Sequence, residues 1–245
     1  MTNLNLLRDC IDNSYPRPNI DRYSDHWQKD WELGKVHTQN PLVYIKIQKN
    51  ASTFFNEYLT ADWRNINVKT ENVDQYKNCD HFVVLRDPIE RWITGMTTYL
   101  TLRKFSDGDN TNPVIFDGEF PEAFAAIRKS KWFKNVFQDF LIESTGVELH
   151  TCSQLWFISF FNLEKINFFY LNDKLGYQIN HFLRIYNIEN KCNNQKINQI
   201  PRTSGLYLFL NEMLRDAANV NFKNKLKDIY KYDYQFLENI NFYAR

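Results

Sequence analysis

The sequence predicts an α/β chain, a single domain over residues 1–245 with a central parallel sheet flanked by helices. Three observations lead there. The short apolar runs Leu42–Ile47, His81–Leu85 and Ile166–Leu171 have the length and near-continuous hydrophobicity of strands buried on both faces. Each run gives way to polar residues and then to apolar residues at helical spacing, the alternation that builds a parallel sheet. The 245 residues are 43% apolar and 16% aromatic with only 7 Gly and 7 Pro, which suits a sizeable buried core and excludes a disordered or collagen-like chain.

Residues 1–40 are polar and aromatic without a clean period. They read as a short helix near Asn3–Asp12 and an irregular N-terminal arm that packs on the domain through Trp27 and Trp31. Arg17, Arg22 and His26 in this arm face either a ligand or water.

Leu42, Val43, Tyr44, Ile45 and Ile47 form the first expected strand. Gln48, Lys49, Asn50 and Ala51 interrupt it, and Ser52 and Thr53 open a helix whose core face is Phe54, Phe55, Tyr58 and Leu59. A strand feeding a helix through a tight loop aims backbone N–H groups and the positive end of the helix dipole at one point. Lys49 adds a full charge there, and the hydroxyls of Ser52 and Thr53 add donors. The alternative is an ordinary βα turn with a surface lysine. The loop has no glycine, so it lacks the nucleotide P-loop pattern.

Asn65–Lys69 reads as a second short strand, and His81–Leu85 as a buried one that ends in Arg86-Asp87-Pro88-Ile89-Glu90-Arg91. Asp87 suits the N-cap, Pro88 the first helical position and Glu90 the third. Arg91, four residues after Asp87, is placed to pair with it. Arg86 has no part in that capping and stands at the carboxyl end of a strand, where open α/β sheets bind their ligands.

Residues 99–118 read as a polar loop. Helices follow over 119–129 (core face Phe120, Phe124, Ile127) and 131–143 (Phe133, Val136, Phe137, Phe140). His150 then sits among polar and apolar residues just before Gln154. An imidazole is well poised to take a hydroxyl proton near neutral pH, so His150 is the candidate general base; the alternative is a hydrogen-bonded structural histidine. His81 opens a buried strand, and His26, His37 and His181 read as surface or helix residues. The strand Ile166–Leu171, a helix over Lys174–Tyr186, an Asn- and Lys-rich loop over 190–203, and helices over Leu206–Ala218 and Phe222–Asn239 complete the chain.

Charge and cysteines narrow the function classes. A net charge of +1 gives no basic surface for nucleic acid. The four cysteines (Cys10, Cys79, Cys152, Cys192) are widely spaced, with neither zinc-ligand spacing nor a disulfide framework, so no metal is expected and a reducing cytoplasm fits. No apolar run reaches the length of a membrane span, and the first residues lack a signal-peptide pattern, so a soluble cytoplasmic protein is expected.

Two stretches resemble a known family. Gln48-Lys49-Asn50-Ala51-Ser52-Thr53 is similar to the 5′-phosphosulfate loop of the PAPS-dependent sulfotransferases, P-K-x-x-S-T, with Gln48 where that family has Pro. The stretch from Arg86 to Thr94 resembles the family's 3′-phosphate motif, R-D-P-x-E-R-x-x-S, as its carbohydrate (Golgi-type glycan) sulfotransferase branch carries it, with Thr94 for Ser. His150 to Gln154 is similar to an H-x-x-x-Q segment of some members, and Leu226-Lys227-Asp228-Ile229-Tyr230-Lys231-Tyr232-Asp233-Tyr234 to the family's L-x-x-x-Y-x-x-D-Y close. Glycan-sulfating animal enzymes usually carry an N-terminal membrane anchor, and this chain is expected to depart from them in that respect.

The resemblance implies a P-loop-like sulfotransferase fold and transfer of a sulfuryl group from PAPS to an acceptor hydroxyl, leaving PAP. It places Gln48, Lys49, Asn50, Ala51, Ser52 and Thr53 around the 5′-phosphosulfate, with Lys49 beside the leaving oxygen. Arg86 and Thr94 would hold the 3′-phosphate. Arg202, with Lys196 as second choice, would reach the cofactor from a closing loop, and His150 would be the base. A small-molecule or glycan acceptor is implied; its identity and the oligomeric state stay open. The rival readings are a non-catalytic PAP- or glycan-binding member and an ATP-dependent kinase-like phosphotransferase.

Overall fold

The computed structural model describes residues 3–18, 32–67, 72–106, 131–146, 149–189 and 205–243. Their strands are β1 (Glu32–His37), β2 (Leu42–Ile45), β3 (Trp63–Asn67), β4 (Asp80–Leu85) and β5 (Ile166–Tyr170). Their α-helices are α1 (Leu4–Asp12), α2 (Ser52–Tyr58), α3 (Pro88–Ser106), α4 (Lys131–Glu143), α5 (Gln154–Ile158), α6 (Leu175–Ile185), α7 (Gly205–Arg215), α8 (Val220–Ile229) and α9 (Lys231–Asn239).

The five strands form one sheet in the order β3-β1-β2-β4-β5. β2, β4 and β5 are parallel, as the three apolar runs predict. β1 is antiparallel to both β2 and β3, so the sheet is mixed and not wholly parallel. The cause is the link between β1 and β2: residues 38–41 are enough for a hairpin and far too few for a crossover. Glu32–His37 is therefore a sheet strand, where the sequence suggests an irregular arm. β3 lies two residues earlier than expected, at Trp63–Asn67.

Alternate residues of the central strands face opposite sides. Val43, Ile45, Val83 and Leu85 pack with α1, α5 and Phe236 on one face. Leu42, Tyr44, Phe82 and Val84 pack with α2 and α6 on the other. Both faces are thus covered, which is why these strands are apolar at nearly every position. A third cluster joins α3, α4, α7 and α8 around Trp92, Met96, Leu210 and Leu226.

Three helical expectations change. Residues 99–106, read as loop, continue α3, because Tyr99 and Leu100 still face that third cluster. The expected helix Phe222–Asn239 is two helices meeting at Tyr230, whose backbone leaves the helical region (φ −97°, ψ 19°) while its buried hydroxyl donates to the Thr151 carbonyl. Val136, expected in the core, is 47% exposed.

Candidate anion-binding site

The parallel centre of the sheet directs the carboxyl ends of β2 and β4 toward one point, and the two motif segments leave the sheet there. After β2 the chain turns through Lys46 to Ala51. Lys49 (φ 68°) and Ala51 (φ 60°) both adopt the left-handed region, which non-glycine residues hold only when their surroundings enforce it. The enforcement is visible. Asn50 is buried, and its Nδ2 donates to the Val84 carbonyl and to Gln154 Oε1, each at 2.9 Å. The Gln48 carbonyl accepts from Arg91 Nε at 3.0 Å, and the Lys49 carbonyl from Arg86 Nη1 at 3.1 Å. Two consecutive loop carbonyls are therefore turned toward arginines.

Both ends of α2 are polarised. Ala51 occupies its N-cap position, with no side-chain cap, so the first-turn donors are not taken by a capping side chain. At the other end the buried ammonium of Lys35 donates to the carbonyls of Leu59 (2.7 Å) and Asn56 (3.4 Å), complementing the negative end of the helix. Lys46 is committed elsewhere, in a buried pair with Glu32 at 2.7 Å.

Arg86 follows β4 directly. Its side chain is only 11% exposed, and its Nη1 lies 3.5 Å from Thr94 Oγ1, while Nη2 lies 3.3 Å from the carboxylate of Glu90. Burial pushes its guanidinium down from the ordinary range, and Glu90 opposes that shift. Its Nε is buried and has no hydrogen-bond partner among the described residues. Asp87 caps α3 as expected, accepting from the Glu90 amide at 2.9 Å. The expected Asp87–Arg91 pair does not form. Asp87 instead accepts from the Tyr234 hydroxyl at 3.1 Å, and Arg91 turns into the interior, where it is 1% exposed.

Arg91 is the joint of the site. Besides Gln48 it donates to the carbonyls of Leu149 (2.8 Å) and Cys152, which flank His150. The His150 segment and the Lys49 loop are thus one side chain apart. His150 itself is half-buried. Its carbonyl is packed so tightly on α3 that a Cβ built on Gly95 would lie 2.1 Å from it, so only glycine fits there.

Gln154 makes the second connection. Its Oε1 accepts from Asn50, and its Nε2 donates to the Arg86 carbonyl at 3.0 Å. Beneath it, the buried carboxylate of Asp233 accepts from Ser153 Oγ (2.7 Å) and the Gln154 amide (3.0 Å). Burial raises the Asp233 pKa to about 6, and Ser153 and Arg91 pull it back. Tyr230, Asp233 and Tyr234, the polar residues of the C-terminal motif, thus hold Thr151, Ser153–Gln154 and Asp87 respectively.

Among the predicted residues, Gln48, Lys49, Asn50, Ala51, Arg86 and Thr94 are brought together. Asn50 and Ala51 are buried, so what they can offer a ligand is backbone; Ser52 is buried and Thr53 exposed. Arg22, His26, Lys196 and Arg202 lie outside the described residues. Sequence reasoning missed the roles of Arg91, Asn50 and Asp233, which depend on contacts between distant segments. A polar cleft of about 310 Å³ lies between α4 and α8, lined by Gln138, Asp139, Asn219 and Lys225 among others; none of the motif residues lines it. No group of side chains suited to holding a metal ion occurs among the described residues, and none of their helices is long and apolar enough to cross a membrane. No family model, curated protein or solved structure matches the chain.

Proposed function

We propose that the chain is a PAPS-dependent sulfotransferase of P-loop-like fold, moving a sulfuryl group to the hydroxyl of an acceptor such as a carbohydrate. The observation that carries this reading is a meeting at one nitrogen. Arg86 Nη1 touches both the Lys49 carbonyl, 37 positions away, and the Thr94 hydroxyl eight positions on. The two segments that resemble the phosphosulfate loop and the 3′-phosphate motif therefore share one corner. A phosphate suits the planar guanidinium, whose Nε is buried and without a hydrogen-bond partner among the described residues, with the Thr94 hydroxyl beside it, which here donates to the Arg91 carbonyl at 2.8 Å.

In this reading each residue has a task. Arg86 and Thr94 bind the 3′-phosphate and set the register of the nucleotide. The loop from Gln48 to Thr53 cradles the 5′-phosphosulfate. As the acceptor oxygen bonds to sulfur, the bond from sulfur to the bridging oxygen breaks, and Lys49 offsets the charge left on that oxygen. His150 takes the acceptor proton.

A thermal-shift titration with PAP, ATP and free sulfate, on wild type and Arg86→Ala, tests the reading. PAP is expected to raise the melting temperature of the wild type alone. No response to PAP from folded wild-type protein overturns the proposal, and an equal response to ATP favours a kinase-like phosphotransferase.

A further inference from the structure

Arg86 carries a charge that the fold has mostly removed from water, and its neutralisation comes from one side. Of its two terminal nitrogens, Nη1 faces the protein, on the Lys49 carbonyl and the Thr94 hydroxyl. Nη2 faces outward, 3.3 Å from the carboxylate of Glu90. Glu90 is the carboxylate paired with Arg86 among the described residues, and the pair is lopsided, with side chains 11% and 63% exposed. Arginine is fixed by its burial; among the described residues this contact is what holds the glutamate carboxylate. Its backbone is independently secured, because its amide is capped by Asp87. The carboxylate can therefore swing away without disturbing α3.

We propose that Glu90 is a displaceable counter-ion that occupies the outward face of Arg86 and competes with the incoming phosphate monoester for it. A carboxylate and a phosphate oxygen make the same charge-assisted hydrogen bond to a guanidinium, so the two exclude each other on Nη2. The ligand must replace that bond and bring a second negative charge beside a residue that already has one. Glu90 thus lowers the affinity of the site and keeps the buried guanidinium neutralised between turnovers. The proposal rests on the cofactor reading for the identity of the ligand, but not for the competition itself.

Isothermal titration of PAP, and separately of inorganic pyrophosphate, into wild type, Glu90→Gln, Glu90→Ala and Arg86→Ala tests it, with melting temperatures as the check on folding. Glu90→Gln is expected to bind PAP about three- to tenfold more tightly than wild type at low salt, with a smaller gain at high salt, as for an exposed ion pair. Glu90→Ala should behave alike and Arg86→Ala should bind neither anion. Equal or weaker anion binding by both Glu90 variants, when folded, overturns the proposal, because a glutamate that orients Arg86 for its ligand predicts a loss. If PAP has no effect on any protein while pyrophosphate binds Glu90→Gln more tightly than wild type, the cofactor reading fails and the competition stands. If neither anion binds Glu90→Gln, both fail.

Discussion

Arg91 Nε donates to the Gln48 carbonyl at 3.0 Å, across 43 positions of sequence, although Asp87 stands one helical turn away from it. The arginine is buried and takes carbonyls from both the anion loop and the segment carrying His150. Its planar fork can reach three acceptors in different directions, which a lysine ammonium on a flexible stem cannot.

Replacing it should therefore cost more than one contact. Arg91→Ala removes the guanidinium from the carbonyls of Gln48, Leu149 and Cys152, leaving that of Leu149 only the Cys152 thiol, and is expected to destabilise the fold by about 3–5 kcal/mol. Arg91→Lys should recover less than half of that. Urea unfolding of the three proteins measures it, and a loss in Arg91→Ala no greater than that of an exposed arginine would contradict the joint role.

Asp233 should imprint a pH dependence on stability. Its pKa rises from 3.8 to about 6 because burial disfavours the charged form, with Arg91, Ser153 and Gln154 facing it. A raised folded-state value means the contribution is fully present below about pH 4 and is lost as pH rises through about 6. The difference is worth about 3 kcal/mol. Asp233→Asn keeps an acceptor for the Gln154 amide and removes the titration. The stability difference between variant and wild type should then shift in the variant's favour from about pH 4.5 to about pH 8, as read by urea unfolding at each pH.

Lys49→Ala tests the chemistry. The residue is half-buried, and its backbone carbonyl, not its side chain, is what Arg86 uses. Alanine should leave the fold nearly intact and lower turnover of PAPS about 10²- to 10³-fold. An unchanged rate in a single-turnover assay of PAPS consumption would remove Lys49 from the mechanism.

Gly95→Ala should disturb His150 from behind. The added Cβ would stand 2.1 Å from the His150 carbonyl, so either α3 or the His150 segment must shift. A loss of about 1–3 kcal/mol is expected, as for overpacking elsewhere, together with a raised KM or lowered kcat. A wild-type melting temperature and unchanged kinetics would show that the segment yields without consequence.

Much of this was legible from residue types alone. The strands buried on both faces announce themselves as continuous apolar runs, and Asp87-Pro88-Ile89-Glu90 specifies a helix start through purely local bonds. The meeting of Lys49, Arg86 and Thr94 follows from two strand ends pointing the same way. What failed to show was whatever a distant segment decides. β1 has only Leu33 and Val36 as large apolar residues, with Gly34 and Lys35 between them, so no strand period appears. Lys35 looks like a surface residue until α2 presents its carbonyls to it. Arg91 has a good local partner in Asp87 and a better set of acceptors 43 to 61 residues away, and nothing local distinguishes the two.

The hairpin that joins β1 to β2 has a practical corollary for anyone trimming the protein. A fragment beginning at Pro41 would retain both motif segments, yet it would strip β2 of the neighbour bonded to it at Gly34, Lys35 and Val36. It would also orphan β3, which touches the sheet through β1. The strand that ends in the Lys49 loop would then be an open edge with unpaired amides, a template for adding strands from other molecules. Such a fragment should precipitate or self-associate on expression.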